Sequence, residues 1–506
     1  MGRTILVIAV LLNAGLIAAQ SAASHEQRAA AYMASVRRQP LLLLAFLREM
    51  PKGGDLHNHL GGAIYAENLI DFAAQDGMCV ERATMSLVAS PCDASCDKST
   101  AKPAVRCSYH DPGLYSSLID AWSMRNWERG HESGHDHFFA TFDKFYAGMS
   151  NHIGEAIALA AEQAAADHLQ YVELMHTADG MQSASLGMGL GWNENFAVMR
   201  DKLLAGGLKD VAVSTRNKLG DDEKTMREKL RCGTPLAAPG CEVSVRYLYQ
   251  VLRALPPEAV FAQILLGFEL ASADSRFVGL NLVQPEDWYV PMHDFDLHMK
   301  MLDYLHGVYP KVHISLHAGE LSPGLVPPAG LSFHIRESIE VGHAERIGHG
   351  VDVMNEHDPR GLLREMARLA VFVEICLTSN DEILGVKGDE DPLPLYRRYK
   401  VPVALATDDE GVSRSDLTHE YLRAVRSYDF PYADLKDMAR QSLEHSFLPG
   451  ASLWSDLRQP RAAAACEGDH ASAKPSKRCQ EFLDGNEKAR LQWKLEEEFA
   501  GFEKRF

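Results

Sequence analysis

The sequence predicts an α/β protein, a (β/α)₈ TIM barrel with a helical N-terminal arm and a cysteine-rich insertion after the first strand. Three observations lead there. Eight short runs, DLHNHL, HLQYVELMHT, EVSVRYLYQ, RFVGLNLV, KVHISLHAGE, RIGHGVDV, VFVEICLTSN and VPVALATDD, carry strand-like patterns rich in Val, Ile and Leu. Segments with helical apolar spacing separate them, such as PEAVFAQILLGFELAS and GLLREMARLA. Five of the eight runs carry His, Glu or Asp at or near their C-terminal ends, and barrels of this class place their chemistry at the C-terminal ends of their strands.

Taken in order, residues 1–23 read as an export signal: Arg3, an apolar run from Ile5 to Leu16, then small residues at Ala18–Ala23. The run is shorter than the ~20 residues that usually span a bilayer. Residues 24–50 form a helical arm with Leu42, Leu43, Phe46 and Leu47 at helical spacing. Pro51 and the following glycines end it and lead into the first strand. The barrel occupies 51–450. About 84–134 lies a stretch rich in Cys, Asp, Ser and Gly without sustained periodicity, read as a surface insertion. One helical pattern runs from Phe138 to Asp167. In 451–506 a stapled loop precedes a helix whose Leu491, Leu495, Phe499 and Phe502 make a stripe that packs on the barrel.

A formal net charge of -18 opposes a nucleic-acid partner, since such proteins usually present a basic face, and favours a small substrate. No later segment reads as membrane-spanning, so the mature chain is expected to be exported, to periplasm or medium, with no membrane contact after signal cleavage. The nine cysteines then acquire meaning. Cys232 and Cys241 bracket GTPLAAPG, and Cys466 and Cys479 bracket a polar segment; both are expected to be local staples. Cys79, Cys92, Cys96 and Cys107 supply two more bridges with three connectivities open. A zinc knuckle of Cys92, Cys96, Cys107 and His110 is disfavoured by export and irregular spacing. Cys376, inside an apolar strand, reads as a buried free thiol.

The chemistry collects at the strand ends. His57 and His59 are two apart on a strand, so they face one side, as paired metal ligands do. His317 and one of Asp408 and Asp409 complete a set of three imidazoles and a carboxylate suited to Zn²⁺ with water in the open position. Such a metal lowers the pKa of bound water to ~7. Glu320, three residues past His317, reaches the pocket without binding the metal and suits an acid that protonates a ring nitrogen. His349, between two glycines at another strand end, can face the attacking water. Adjacent aspartates on an extended strand point apart, so one ligates and the other faces substrate.

Together these stretches resemble the adenosine deaminase family, specifically its secreted, growth-factor-related branch. MPKGGDLHNHL is similar to that family's first-strand element, SLHAGE to its HAGE motif, ERIGHG to RIGHG, EICLTSN to its ExCxTSN strand and ATDDEG to its TDDP-like final strand, in family order over roughly 50–448. The resemblance implies one zinc per subunit held by His57, His59, His317 and Asp408. It also implies that Glu320 protonates purine N1, His349 assists the zinc-bound water and Asp409 contacts N7. The resemblance alone implies that the helical arm of residues 24–50 can pair with a second subunit in a homodimer. The implied reaction is hydrolytic deamination of adenosine or 2′-deoxyadenosine to the inosine product and ammonia. Three positions depart from the family pattern: Gly61 in place of a ribose-contacting Asp, Gln284 where a Gly commonly lies beside purine N3, and Glu410 in place of Pro. The insertion is expected to help close the ribose side. Two alternatives follow: a related amidohydrolase acting on another purine or modified nucleoside, and an exported binding or signalling protein without turnover. Against the second, every ligand and the proton donor are present.

Overall fold

The computed structural model describes residues 24–457 and 460–506, so the export-signal reading of 1–23 lies outside the described residues. The eight expected runs are the eight strands of one parallel sheet: β1 (Gly53–His59), β2 (Leu169–His176), β3 (Ser244–Leu252), β4 (Phe277–Val283), β5 (His313–Ala318), β6 (Arg346–His349), β7 (Phe372–Ile375) and β8 (Val403–Leu405). Each pairs with the next in chain order. The ring closes just past β8, where Asn58 bridges Asp408, His59 N–H donates to Asp408 O at 3.0 Å and Asp408 N–H donates to His57 O at 2.9 Å. The seam is therefore made by the residues singled out for metal binding.

Helices wrap the ring because parallel strands need crossovers and both faces of the sheet must be covered. The connection between β3 and β4, Pro257–Ala273, is buried along most of its length. Helix Tyr432–Glu444 packs over β1 and β8. Against it lie the N-terminal helices His25–Val36 and Pro40–Glu49 and the C-terminal helix Glu487–Glu503. Phe46 and Phe502 meet edge to face at 5.0 Å between ring centroids, and Leu491, Leu495, Phe499 and Phe502 are all buried. No helix among the described residues is long and apolar enough to cross a membrane.

Disulfides join Cys79–Cys92 and Cys96–Cys107, which selects one of the three open connectivities, and Cys232–Cys241 and Cys466–Cys479 close the expected local loops. Cys376 is free and buried. The insertion holds more order than its composition suggests. Cys79–Glu81 and Ser86–Val88 pair as an antiparallel hairpin, and Pro112–Ala121 is helical, capped by Asp111, whose carboxylate accepts from the Gly113 and Leu114 amides.

The single helix expected over Phe138–Asp167 is two. Gly134–Phe145 and Ile153–Ala166 are separated by a tight turn at Tyr146–Met149 and by Ser150, Asn151 and His152, residues that favour turns and caps over helix interiors. The break lets the first helix leave the barrel wall. At its N-terminus His135 Nε2 lies 2.9 Å from Asp287 Oδ1, in the loop after β4, and at its C-terminus Tyr146 packs on the loop after β1. Twelve residues at 1.5 Å each span ~18 Å, so this helix reaches across the mouth of the barrel.

Candidate active site

Every sequence-predicted site residue lies at this mouth, on the C-terminal ends of β1, β5, β6 and β8 or just beyond them. His59 Nε2 lies 3.1 Å from His317 Nε2 and 3.3 Å from Asp408 Oδ1, and His57 Nε2 is also 3.3 Å from Asp408 Oδ1. His57, His317, His349 and Asp408 can bring one ligand atom each within 4.8 Å of one another, and His59, Asp408 and Asp409 form an overlapping group.

What turns these nitrogens inward is a set of partners that the sequence reading did not single out. His57 Nδ1 lies 2.6 Å from Glu374 Oε2 on β7, His59 Nδ1 3.0 Å from Gln250 Oε1 on β3, and His317 Nδ1 2.7 Å from Asn281 Oδ1 on β4. Each of these oxygens can only accept, so each Nδ1 carries the proton and each Nε2 presents a lone pair. Metal-binding histidines are held in this manner. Ser379 donates to Asp408 Oδ2 at 2.6 Å and leaves Oδ1 for the centre. Glu374 is fixed in turn by Arg346 Nε at 2.7 Å and by the Ser315 hydroxyl at 3.0 Å, and Arg346 reaches Glu173 at 2.5 Å. A signal for Glu374 and Asn281 existed: each is a polar side chain inside an otherwise apolar strand.

The arrangement fits a metal cation. Two imidazole lone pairs 3.1 Å apart repel each other unless a positive charge lies between them, and a tetrahedral ion with ~2.0–2.1 Å bonds puts its ligands about 3.3 Å apart. His57 Nε2 and His349 Nε2 are buried without a hydrogen-bond partner. The local field asks for positive charge as well: burial opposes protonation of His57, yet the Asp408 and Glu374 carboxylates outweigh it and carry the imidazole up to about 10.

The remaining groups divide by role. Burial, then the charges of Asp408 and Glu286, raise the Glu320 carboxyl well above its ordinary value, which favours its protonated form. Its loop is anchored by Glu286, which accepts the amides of Gly319 at 3.1 Å and Glu320 at 2.7 Å. Burial lowers His349 to about 4, which favours the neutral imidazole, with its Nδ1 3.3 Å from Asn380 Oδ1. Asp408 and Asp409 do not part as an extended strand would place them: Asp408 is left-handed (φ 60°), and oxygens of both carboxylates lie within 4.8 Å of each other in the group with His59. Burial, with the adjacent Asp408 charge, raises Asp409 to about 8, and its Oδ1 has no hydrogen-bond partner. A Cβ on Gly62 would lie 1.6 Å from that oxygen, so only glycine lets the β1 loop lie beside it.

Backbone strain concentrates here: His349 (φ 64°), Asp408 (φ 60°) and Gln284 (φ 85°) are all left-handed. Gln284 thereby takes a glycine-like conformation, and its side chain turns away to accept the Ala254 amide at 2.9 Å. Glu410 is buried, with its carboxyl raised well above the ordinary range by burial and then by the charge of Asp167.

Comparison with known proteins agrees with this picture. The adenosine deaminase family model matches residues 123–453. The adenosine deaminase of Clostridium perfringens (strain ATCC 13124) is 33% identical over 135 residues, 26% of this chain and 37% of that enzyme. The adenosine deaminase of Mycobacterium sp. (strain KMS) is 27% identical over 240 residues, 45% of this chain and 61% of that enzyme. The matched stretches thus span less than two thirds of either relative. In fold, the chain resembles an adenine deaminase from Arthrobacter aurescens (TM-score 0.51, 18% identity, 79% of this chain and 94% of that one). It also resembles Arabidopsis ADAL complexed with IMP (TM-score 0.50, 18% identity, 79% and 93%). With the family model covering most of the barrel, the chain belongs to the adenosine deaminase family of metal-dependent hydrolases.

Proposed function

We propose that this protein is a zinc-dependent hydrolase that deaminates adenosine and 2′-deoxyadenosine to the corresponding inosine and ammonia. One observation carries the reading: a buried cluster of oriented imidazoles and a carboxylate lies beside Glu320, His349 and Asp409, all three of them buried, and burial favours the uncharged form of each. His57, His59, His317 and Asp408 would hold one zinc per chain. When bound, zinc supplies water activated at neutral pH.

The protein's own residues then handle the purine. Glu320 donates its proton to N1, which draws electron density from C6 and opens that carbon to water. His349 orients the water and takes up its proton as the C–O bond forms. Asp409, kept neutral by burial, donates a hydrogen bond to N7 and fixes the ring plane. His349 then passes the proton it took to the amino group, which leaves as ammonia, and the C6 hydroxyl gives up its proton to restore Glu320 as the C6 carbonyl forms. Glu320, His349, Asp408 and Asp409 are all buried, and exclusion of bulk water strengthens each of these interactions.

Four disulfides support an oxidising destination and thus export, and together with the N-terminal arm they support the secreted growth-factor-related branch. The test is the ultraviolet change on mixing the mature protein with adenosine, 2′-deoxyadenosine, adenine and AMP, with zinc assayed on the same sample. Conversion of the two nucleosides is expected. Conversion of adenine alone would assign the protein to a different purine substrate.

A further inference from the structure

His349 is held from behind by residues that lie outside the metal cluster. Its left-handed backbone (φ 64°) ends β6, and its Nε2, buried and without a hydrogen-bond partner, lies 3.7 Å from Glu320 Oε1. The other nitrogen, Nδ1, lies 3.3 Å from Asn380 Oδ1. A neutral imidazole carries one proton, and only the tautomer with that proton on Nδ1 leaves Nε2 a lone pair for a water. Whether His349 can act as a base therefore depends on which end of the Asn380 amide faces it.

An amide can present either end to a neighbour, so its second partner decides. Asn380 Nδ2 donates to Asp391 Oδ2 at 3.0 Å, and Asp391 Oδ1 accepts the Leu393 amide at 2.9 Å. With a donor on each oxygen, the carboxylate takes the NH₂ end of Asn380 and sends the carbonyl end to His349. His349, Asn380 and Asp391 are all buried. Asp391 comes from none of the strands: it lies between helices Leu377–Leu384 and Leu393–Tyr399. The second of these helices also reaches back to β6, where the Tyr396 hydroxyl donates to Gly350 O at 2.6 Å.

We propose that Asp391 is a positioning residue for the deamination: acting through Asn380, it fixes the His349 tautomer that can take a proton from water. This rests on the role of His349 in the deaminase reading above. The same hydrogen bonds say what a change would do. In Asp391→Asn the Leu393 N–H still needs an acceptor, so the new amide sets its oxygen there and its NH₂ toward Asn380. Asn380 must then turn its oxygen to that NH₂ and its own NH₂ to His349, whose proton moves to Nε2. Adding Asn380→Asp restores the order, because a carboxylate at position 380 accepts both the new NH₂ and the His349 Nδ1–H.

The test uses the zinc-loaded mature protein as wild type, Asp391→Asn and the double variant Asp391→Asn with Asn380→Asp. It reads kcat and KM for adenosine, and separately the ¹⁵N imidazole spectrum, with His349 assigned by its loss in His349→Gln. Asp391→Asn should lose about 100-fold or more in kcat, the scale of a general base, with KM, zinc content and circular dichroism unchanged. The double variant should recover about tenfold or more of that loss, which a merely structural role for Asp391 does not predict. The spectrum should place the proton on Nδ1 in the wild type and the double variant, and on Nε2 in Asp391→Asn. A kcat for Asp391→Asn within about threefold of wild type, or a loss that the double variant does not recover, overturns this inference and leaves the deaminase reading intact. So does a proton on Nε2 in the wild type, a measurement that decides even where a variant does not fold. No adenosine turnover by the wild type, with the proton moving as stated, overturns the deaminase reading alone.

Discussion

Two groups of buried carboxylates share this barrel, and they are built on opposite plans. Deeper in, Glu173 and Glu374 flank Arg346 at 2.5 and 2.7 Å, and Phe447 lies 3.8 Å from the same guanidinium. The chain supplies the counter-charge itself. At the mouth, Glu320, Asp408 and Asp409 are all buried, and among the described residues none of them is ion-paired with a lysine or arginine. Histidines surround them instead, two with an unpartnered nitrogen. The difference teaches how to separate structure from function: a buried charge matched within the chain holds the barrel, and one left unmatched awaits a cation, a proton or a substrate.

The largest expected effect breaks the mouth group alone. Glu320→Gln should keep fold and zinc, judged by circular dichroism and metal analysis, yet lose ~10²–10⁴-fold in kcat for adenosine, because only the proton to N1 is removed. Wild-type turnover would rule out Glu320 as the acid. Next, Arg346→Met should cost about 3–5 kcal/mol in urea unfolding, because it leaves two buried carboxylates without their partner. Adding Glu173→Gln should recover part of that loss, and no recovery would mean that the pair does not act as a unit.

A smaller effect tests the link between the two groups. Asn281→Ala frees the His317 ring and should weaken zinc retention about 10–100-fold in competition with a chelator, with unfolding in the metal-free state little changed. The smallest is a pH effect. Burial works to raise the Glu374 carboxyl, but Arg346 and then His57 outweigh it and hold it below its ordinary value of 4.5. Its contribution to stability is then fully present above that value and lost as pH falls through the lower folded one. Wild-type stability should fall with acid more steeply than that of Arg346→Met below about pH 4.5.

Much of this was legible from the sequence because the site sits where strand patterns end. His317 and Asp408 follow the apolar runs KVHISL and VPVALAT, His57 and His59 share one short strand two residues apart, and from Leu169 onward the strands alternate with helices. What was hidden depended on neighbours in the ring rather than along the chain. Gln250, Asn281 and Glu374 acquire meaning only once β3, β4 and β7 are placed around the same axis as β1 and β5. The break after Phe145 was hidden for another reason. Apolar spacing continues through Met149 and Ile153, so periodicity alone joins two helices that Ser150–His152 separate. The Pro112–Ala121 helix was masked by the composition around it, although Asp111-Pro112 is a sound start signal.

The most direct test of the account is a zinc titration of chelator-stripped mature protein, followed by the rate of adenosine conversion. The account predicts activity near zero without metal, rising in proportion to added zinc and levelling at one equivalent per chain. Full activity in the stripped protein, or a plateau unrelated to one zinc per chain, would contradict it.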